Sequence, residues 1–448
     1  MRQREESIGK GVDSGVVMLY YLLLFVGFIA IFSVEYRPED SFWKSAFAFK
    51  NNYSRQLLFI GISSVLALFI LLIDSKFFAA TANLLYLGGI VLMMLTFVIG
   101  KDISGSRSWI TLGGGFNLQP AELCKVFTSL GIAKYLSRQE TDFKLFRSHL
   151  IAFLITLGPA LLSIAQKETG LALVYFSFFL VLYREGLPSV YLIAGFSLLI
   201  LFVTAIVMPF STYALMIGLL LLIAVYMLWR KIKKTFSLFF FLLLISGICI
   251  LFKYAVDFIV FDKILKPYQS ERVLNMFGKS YDPKDPERIA LLEKEQAQGK
   301  KRDYGYNVRQ SKIAIGSGGI LGKGFLKGVT TQGEFVPAQH TDFIFTAIAE
   351  SFGFWGSTLL LGIYFLLLMR MIRIAERQRS TFSRVYAYSI VSILFFHVFI
   401  NICMNIGLMP VIGITLPFLS YGGSSLVTFT ALLFILLRLD ADRQMVLR

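Results

Sequence analysis

The chain has 448 residues, of which 56% are hydrophobic, 15% aromatic and only 16% charged, with a mean hydropathy of +0.68. A soluble globular chain carries about 25% charge, so composition excludes that class and specifies a polytopic membrane protein. The formal charge of +16 does not mark a partner such as nucleic acid, because the basic residues gather in short clusters between apolar runs, the positive-inside pattern.

The first apolar run follows Arg2, Arg4 and Lys10, is about one span long and closes on no small-residue cleavage pattern. It reads as a retained helix, not a signal peptide. At roughly 20 apolar residues per crossing, spans are expected near 16–34, 57–74, 78–99, 119–137, 148–165, 169–183, 188–208, 211–229, 235–255, 342–369, 386–404 and 422–437, twelve in all. The expected fold is therefore all-α, an integral membrane helix bundle of about 12 transmembrane helices with one large extracytoplasmic loop.

The side of each connection follows from charge. With the amino terminus in the cytoplasm, the inner connections carry Lys76, Lys134 to Arg147, Arg184, Arg230-Lys231 with Lys233-Lys234, Arg370 to Arg384, and the tail from Arg438; five of these six are clearly basic. Nine crossings then place the long polar loop 263–341 outside, between a membrane domain 1–262 and a second membrane part 342–448. No ATP is available there, so an enzyme on that side needs a substrate that arrives activated, such as a lipid-linked precursor. Neither a GxxxxGK[ST] loop nor an HExxH helix is present.

Polar residues within or beside the spans each invite two readings. Ser106-Arg107-Ser108-Trp109-Ile110 reads as an interface anchor or as part of a site. Glu122 and Lys125, three apart on one helix face, form an internal ion pair or line a substrate cavity. Gln166-Lys167-Glu168 is a solvated turn or a site element. Thr341 and Asp342 cap the tenth span or serve chemistry, His340 alone is uninformative, and Glu350, about two turns further on, requires a partner. The prolines and glycines of Pro410 to Ser425 forbid one regular helix. Irregular backbone at that depth must face protein or a water-filled cavity, and the Gly422-Gly423-Ser424-Ser425 turn presents N–H groups suited to an anion. Cys124, Cys249 and Cys403 lie in apolar runs without paired or ligand spacing and read as small hydrophobes.

Taken together, Arg107-Ser108-Trp109-Ile110, Gln119-Pro120-Ala121-Glu122-Leu123-Cys124-Lys125, the run Gln310 to Gly319 with Lys312, His340-Thr341-Asp342-Phe343-Ile344-Phe345 and Leu416-Pro417-Phe418-Leu419-Ser420-Tyr421-Gly422-Gly423-Ser424-Ser425 resemble the SEDS family (shape, elongation, division and sporulation) in family order. Met409-Pro410-Val411-Ile412-Gly413-Ile414 is more similar to the elongation branch (RodA type) than to the division branch (FtsW type). The resemblance implies a peptidoglycan glycosyltransferase of the cytoplasmic (inner) membrane that polymerises lipid II, with both termini inside, the loop on the outer face, and a class B penicillin-binding protein as transpeptidase partner. It implies ten spans, whereas this chain has a further pair around 211–255. Glu168 stands where the family has an aspartate in Pro-Asp-Leu-Gly-Thr.

The family's essential aspartate closely precedes a Pro-x-Gly-x-Gly-Tyr turn. Here about seventeen residues, Glu287 to Asp303, intervene before Gly305-Tyr306. Counting from Arg272-Val273-Leu274 reaches Asp282 as the catalytic base, with Asp285 in the same Asp-Pro context as the alternative and Asp303 behind both. The implied reaction is attack of a sugar hydroxyl on the anomeric carbon of a second lipid-linked disaccharide, with inversion and loss of polyprenyl pyrophosphate. It needs a carboxylate base and positive charge near the leaving group. Arg107, Lys125, Lys312 and the Gly422-Gly423 turn are the candidates for that charge; a divalent cation, Mg or Mn, is compatible, but no metal-ligand pattern specifies one. A transporter or flippase of lipid-linked precursor is the alternative, since twelve helices with midplane charges also suit a carrier; so is a non-catalytic scaffold for other wall-synthesis proteins.

Overall fold

The computed structural model describes residues 11–36, 51–103, 106–113, 116–264, 270, 273–274, 305–333 and 335–443. Asp282, Asp285 and Asp303 lie outside the described residues.

Each expected span coincides with helix, as it must where the backbone can bond only to itself. The chain opens with α1 (Ser14–Glu35), α2 (Asn52–Leu72) and α3 (Ser75–Ile99). Asp13 starts α1 by accepting from the N–H groups of Gly15 and Val16, each at 3.1 Å, and Asp74 starts α3 through the N–H of Lys76 at 2.8 Å. The next connection is a small antiparallel sheet in the order β1 (Lys101–Ile103), β2 (Ser106–Gly113), β3 (Phe116–Leu118). Lys101 pairs with Trp109 and Ile110 with Leu118.

Then follow α4 (Pro120–Leu136), with proline at its first turn and Glu122 near its positive end, and α5 (Phe146–Ala165). The sixth span is divided into α6 (Thr169–Tyr175) and α7 (Phe178–Arg184). After α8 (Ser189–Val207), α9 (Phe210–Lys234) and α10 (Ser237–Ala255), a π-helix continues over Val256–Ile264. Two helices fall at the carboxyl end of the long polar loop, α11 (Tyr306–Gly318) and the single turn α12 (Val329–Gln332). The chain finishes with α13 (Ile344–Glu376), α14 (Thr381–Asn405) and α15 (Gly423–Ala441).

Ten helices among the described residues are long and apolar enough to cross a membrane. The remaining expected spans are the 17-residue α4 and the divided α6–α7 stretch, Thr169–Arg184.

The residues group into two compact units, Met1–Pro188 with Val308–Arg448, and Ser189–Asn307. In the first, α3 packs on α4, α2 on α15, α1 on α13, and α14 on both α4 and α13. The second has a small apolar core of Ala205, Ile206, Tyr213, Ile217, Val256 and Phe261. There Lys253 is buried, with its Nζ 2.9 Å from Asp257 Oδ2 and donating to Ala205 O at 2.5 Å.

The return of the polar loop is set by a break in α13. Gly353 has φ 62° and ψ −155° inside the helix, which frees carbonyls before it and N–H groups after it. Lys323 N and Gly324 N donate to Glu350 O and Ser351 O at 3.0 and 2.9 Å, while Phe354 N and Trp355 N donate to Gly319 O and Ile320 O at 2.9 and 3.3 Å. The strands of chain lie so close that a Cβ on Gly353 would sit 2.3 Å from Gly322 N, and one on Gly322 2.2 Å from Ser351 O. Glu350, fully buried, accepts from Lys323 Nζ at 2.8 Å and from the N–H groups of Thr330 and Thr331 at 2.9 Å each. The carboxylate that required a partner thus holds residues 323–331 against α13. α13 starts at Ile344 after Phe343, whose side chain supplies no cap, so Thr341 and Asp342 precede the capping position.

Gly353→Ala is therefore expected to destabilise the chain by more than about 1 kcal/mol, because an L side chain meets both a left-handed φ and a backbone clash. Gly61→Ala, on α2 with nothing within 4 Å of the added methyl, is expected to be neutral or stabilising by up to about 1 kcal/mol. Thermal unfolding of the two purified variants in detergent checks the pair.

Candidate active site

At the centre of the first unit, Lys125 of α4 is wholly buried, and its ammonium lies 2.8 Å from Glu122 Oε2. It also lies 2.8 Å from His397 Nε2 on α14 and 5.0 Å from the ring centre of Phe429 on α15. His397 Nδ1 faces the carbonyl of Thr415 at 3.2 Å. A carbonyl only accepts, so Nδ1 carries the proton and Nε2 offers its lone pair to the ammonium. The ion pair lies within α4 and is neutral, and Lys125 carries the contact on to α14 and α15.

The same cluster leads into the irregular segment between α14 and α15. Thr415 Oγ1 and Ser425 Oγ are 3.0 Å apart, and Ser424 Oγ accepts from Gln119 N at 3.1 Å. Residues 338–343 and 410–421 then run together: Tyr421 N donates to His340 O at 2.8 Å, and Ser420 Oγ donates to Thr341 O at 2.6 Å. The His340 and Tyr421 rings meet edge to face at 6.2 Å. Asn401 and Asn405 amides donate to Asp342 O at 2.9 and 3.1 Å, and Asn401 also donates to Ile414 O at 2.7 Å. Ser311 of α11 joins through Thr346 Oγ1 at 2.6 Å and Asn405 O at 2.8 Å.

The sheet is tied in by Ser108 Oγ, which donates to Glu168 Oε1 at 2.6 Å. Gln166 is buried and donates to Met93 O and Thr96 Oγ1 at 2.8 and 2.7 Å, while Lys167 beside it is exposed and Glu168 half-buried, so the turn is anchored at one end and solvated at the next residue. Arg107 and a half-buried Trp109 sit on β2. On α11, Gln310 is half-buried and Lys312 exposed. Lys312 crosses Gly407, where a Cβ would lie 2.2 Å from its Cε. Gly423 meets the Phe59 ring, 2.3 Å from where its Cβ would be; Gly422 precedes it at the start of α15.

The structure thus brings Glu122, Lys125, Glu168, His340, Thr341, Asp342 and 420–424 into connected networks. It also adds His397, Asn401, Asn405 and Thr346, which sequence reasoning missed, and singles out Ser311 within the run Gln310 to Gly319. The first three recur every four residues in an apolar span, a polar stripe on one helix face that a periodicity count would have exposed. Among the described residues no three His, Cys, Asp or Glu side chains gather as a metal-ion ligand set.

A helix bundle with broken helices and a buried polar seam defines a polytopic membrane protein built around an internal site. The chain belongs to the FtsW/RodA/SpoVE family, described as cell cycle protein, whose model matches residues 14–237 and 210–445. The two matches overlap over residues 210–237, which hold α9. It is 30% identical to the peptidoglycan glycosyltransferase MrdB of Escherichia coli K12, over 86% of this chain and 85% of that one. It is 29% identical to the peptidoglycan glycosyltransferase RodA of Treponema pallidum, over 92% and 95%. Among solved structures, a chain of a peptidoglycan synthase complex superposes with a TM-score of 0.64 at 25% identity, covering 97% of this chain and 99% of that one. The rod shape determining protein RodA of Thermus thermophilus shares the fold with a TM-score of 0.60, at 24% identity over 98% and 99%.

Removing one member of a buried ion pair strands the other charge, at about 3–5 kcal/mol, whereas removing both is far milder. Lys125→Met is expected to lower the unfolding temperature sharply and Glu122→Gln/Lys125→Met to recover much of the loss. A double-mutant cycle by thermal unfolding measures the coupling.

Proposed function

We propose that this chain, an integral membrane peptidoglycan glycosyltransferase, polymerises lipid II into glycan strands for wall elongation and rod shape. The observation that carries the reading is the convergence of motif segments far apart in sequence, Gln119 meeting Ser424 across 305 positions, in one part-buried polar network. Similarity to relatives named peptidoglycan glycosyltransferase supports the chemistry, and the clustering of basic residues at alternate connections supports cytoplasmic termini with the 263–341 loop on the outer face of the inner membrane.

In the proposed step the Asp282 carboxylate takes the proton from the attacking sugar hydroxyl. The new C–O bond forms at the anomeric carbon as the bond to pyrophosphate breaks, and the pyrophosphate leaves with the bonding pair. A single displacement inverts the centre, so one base suffices where a glycosidase needs two carboxylates. Asp285 is the competing base. Likeness to a chain of a complex that coordinates polymerization and crosslinking supports a class B penicillin-binding protein as partner.

The test is polymerisation of purified lipid II by the chain with its cognate partner. Asp282→Asn is expected to lower the rate by roughly 100-fold or more with an unchanged unfolding temperature, while Asp285→Asn keeps most activity. Loss confined to Asp285→Asn moves the base, and no polymer from the well-folded unaltered complex transfers the weight to a transporter of the same precursor.

A further inference from the structure

The hairpin of α9 and α10 is mostly exposed or half-buried. Among its residues only Tyr213, Ile217 and Ile232 of α9 and Lys253 of α10 are buried. From Phe210 to Trp229, α9 runs through twenty residues, roughly 30 Å of helix, which matches the hydrocarbon thickness. Arg230, Lys231, Lys233 and Lys234 follow directly and are exposed, so they stand at headgroup depth. No acidic side chain pairs with any of the four among the described residues, and Lys233 Nζ instead lies over the Trp229 ring at 5.4 Å.

Between the two helices, at this end, is an open cleft of about 440 Å³ lined by Lys231, Lys234, Thr235, Ser237, Leu238 and Phe241. Its lining is graded. The two ammonium groups stand on the last turn of α9 and the two hydroxyls on the connection and the first residue of α10, while Leu238 and Phe241 follow on the first turns of α10, towards the hydrocarbon. No side chain caps the amino terminus of α10, so its positive end also borders the cleft.

We propose that this cleft binds the headgroup of an anionic phospholipid, the phosphate held between Lys231, Lys234 and Ser237 and the glycerol and upper acyl chain laid on Leu238 and Phe241. Charge complementarity selects an anion, and the apolar floor selects one that carries a lipid tail over a free phosphate. Unpaired lysines near an anionic surface each strengthen binding substantially, and Thr235 and Ser237 supply hydroxyl donors for the phosphate oxygens.

The test is native mass spectrometry of the full chain in detergent, titrated with phosphatidylglycerol, phosphatidylcholine or inorganic phosphate. The unaltered chain is expected to retain phosphatidylglycerol in preference to phosphatidylcholine. Lys231→Gln/Lys234→Gln is expected to weaken that retention by roughly 30-fold, whereas Arg138→Gln/Lys144→Gln, which removes the same charge from another exposed connection, leaves it unchanged. Leu238→Ser/Phe241→Ser, with the lysines intact, is expected to lower retention of the lipid alone. Equal weakening by both charge variants, or retention unaffected by Lys231→Gln/Lys234→Gln, overturns the site. Displacement of the lipid by inorganic phosphate at matching concentrations overturns the lipid as its occupant. Unfolding temperatures equal to that of the unaltered chain show that each variant is folded.

Discussion

The structure depends on one constraint: backbone that leaves helical geometry inside a membrane must find its hydrogen bonds within the protein. Among the described residues, the interruption of α13 at Gly353 and the segment between α14 and α15 break that way. Each is satisfied differently. At Gly353 the partner is other backbone, residues 319–324, which is why glycine is needed on both sides of the crossing. Between α14 and α15 the partners are mainly side chains, with Asn401 serving Asp342 O and Ile414 O, His397 serving Thr415 O, and Ser420 serving both Leu416 N and Thr341 O. Satisfying these groups fixes the segments that carry the family motifs, so the fold and the site share one set of bonds.

Buried charge follows a similar logic. Glu122 is paired with Lys125, Glu350 with Lys323, and Asp440 with Arg377 and Gln378. An unpaired carboxylate in such surroundings is costly, and a paired one still repays little over an apolar core. Their presence therefore argues for geometry over stability: Glu350–Lys323 and Asp440–Arg377 join elements distant in sequence, and Lys125, paired with Glu122 inside α4, also reaches His397 of α14. Lys323 reaches Glu350 from the polar loop, and Arg377 closes the end of α13 onto α15.

Hydropathy made the helices legible because roughly 20 apolar residues have one stable form in lipid. It located even the divided sixth span, whose two short helices, α6 and α7, together cover the expected 169–183. Hydropathy is blind to pairings between segments. The sheet at 101–118 escaped notice although Trp109, Ile110 and Thr111 are strand formers beside a glycine run, because an interface anchor explains the same residues. Glu350 signalled a need for a partner, yet Lys323, in the polar loop 27 positions away, was one basic residue among many. His397, Asn401 and Asn405 did carry a periodic signal, but each alone resembles an ordinary polar residue tolerated in a long bundle.

The neutrality of the Lys125 cluster bears on the proposed chemistry. A departing pyrophosphate accumulates negative charge, and compensation must come from cations whose own charge is not already cancelled. Lys125 is fully buried and faces Glu122 at 2.8 Å, so its field beyond the cluster is largely that of a dipole. Lys312 differs: it is exposed, has no ion-pair partner among the described residues, and its stem is steered by Gly407, whose φ of +77° and missing Cβ leave room for it. Under the proposed reaction the division of labour is then physical. The buried pair fixes the scaffold, and the steered, solvent-facing cation on α11 retains the charge that a pyrophosphate needs.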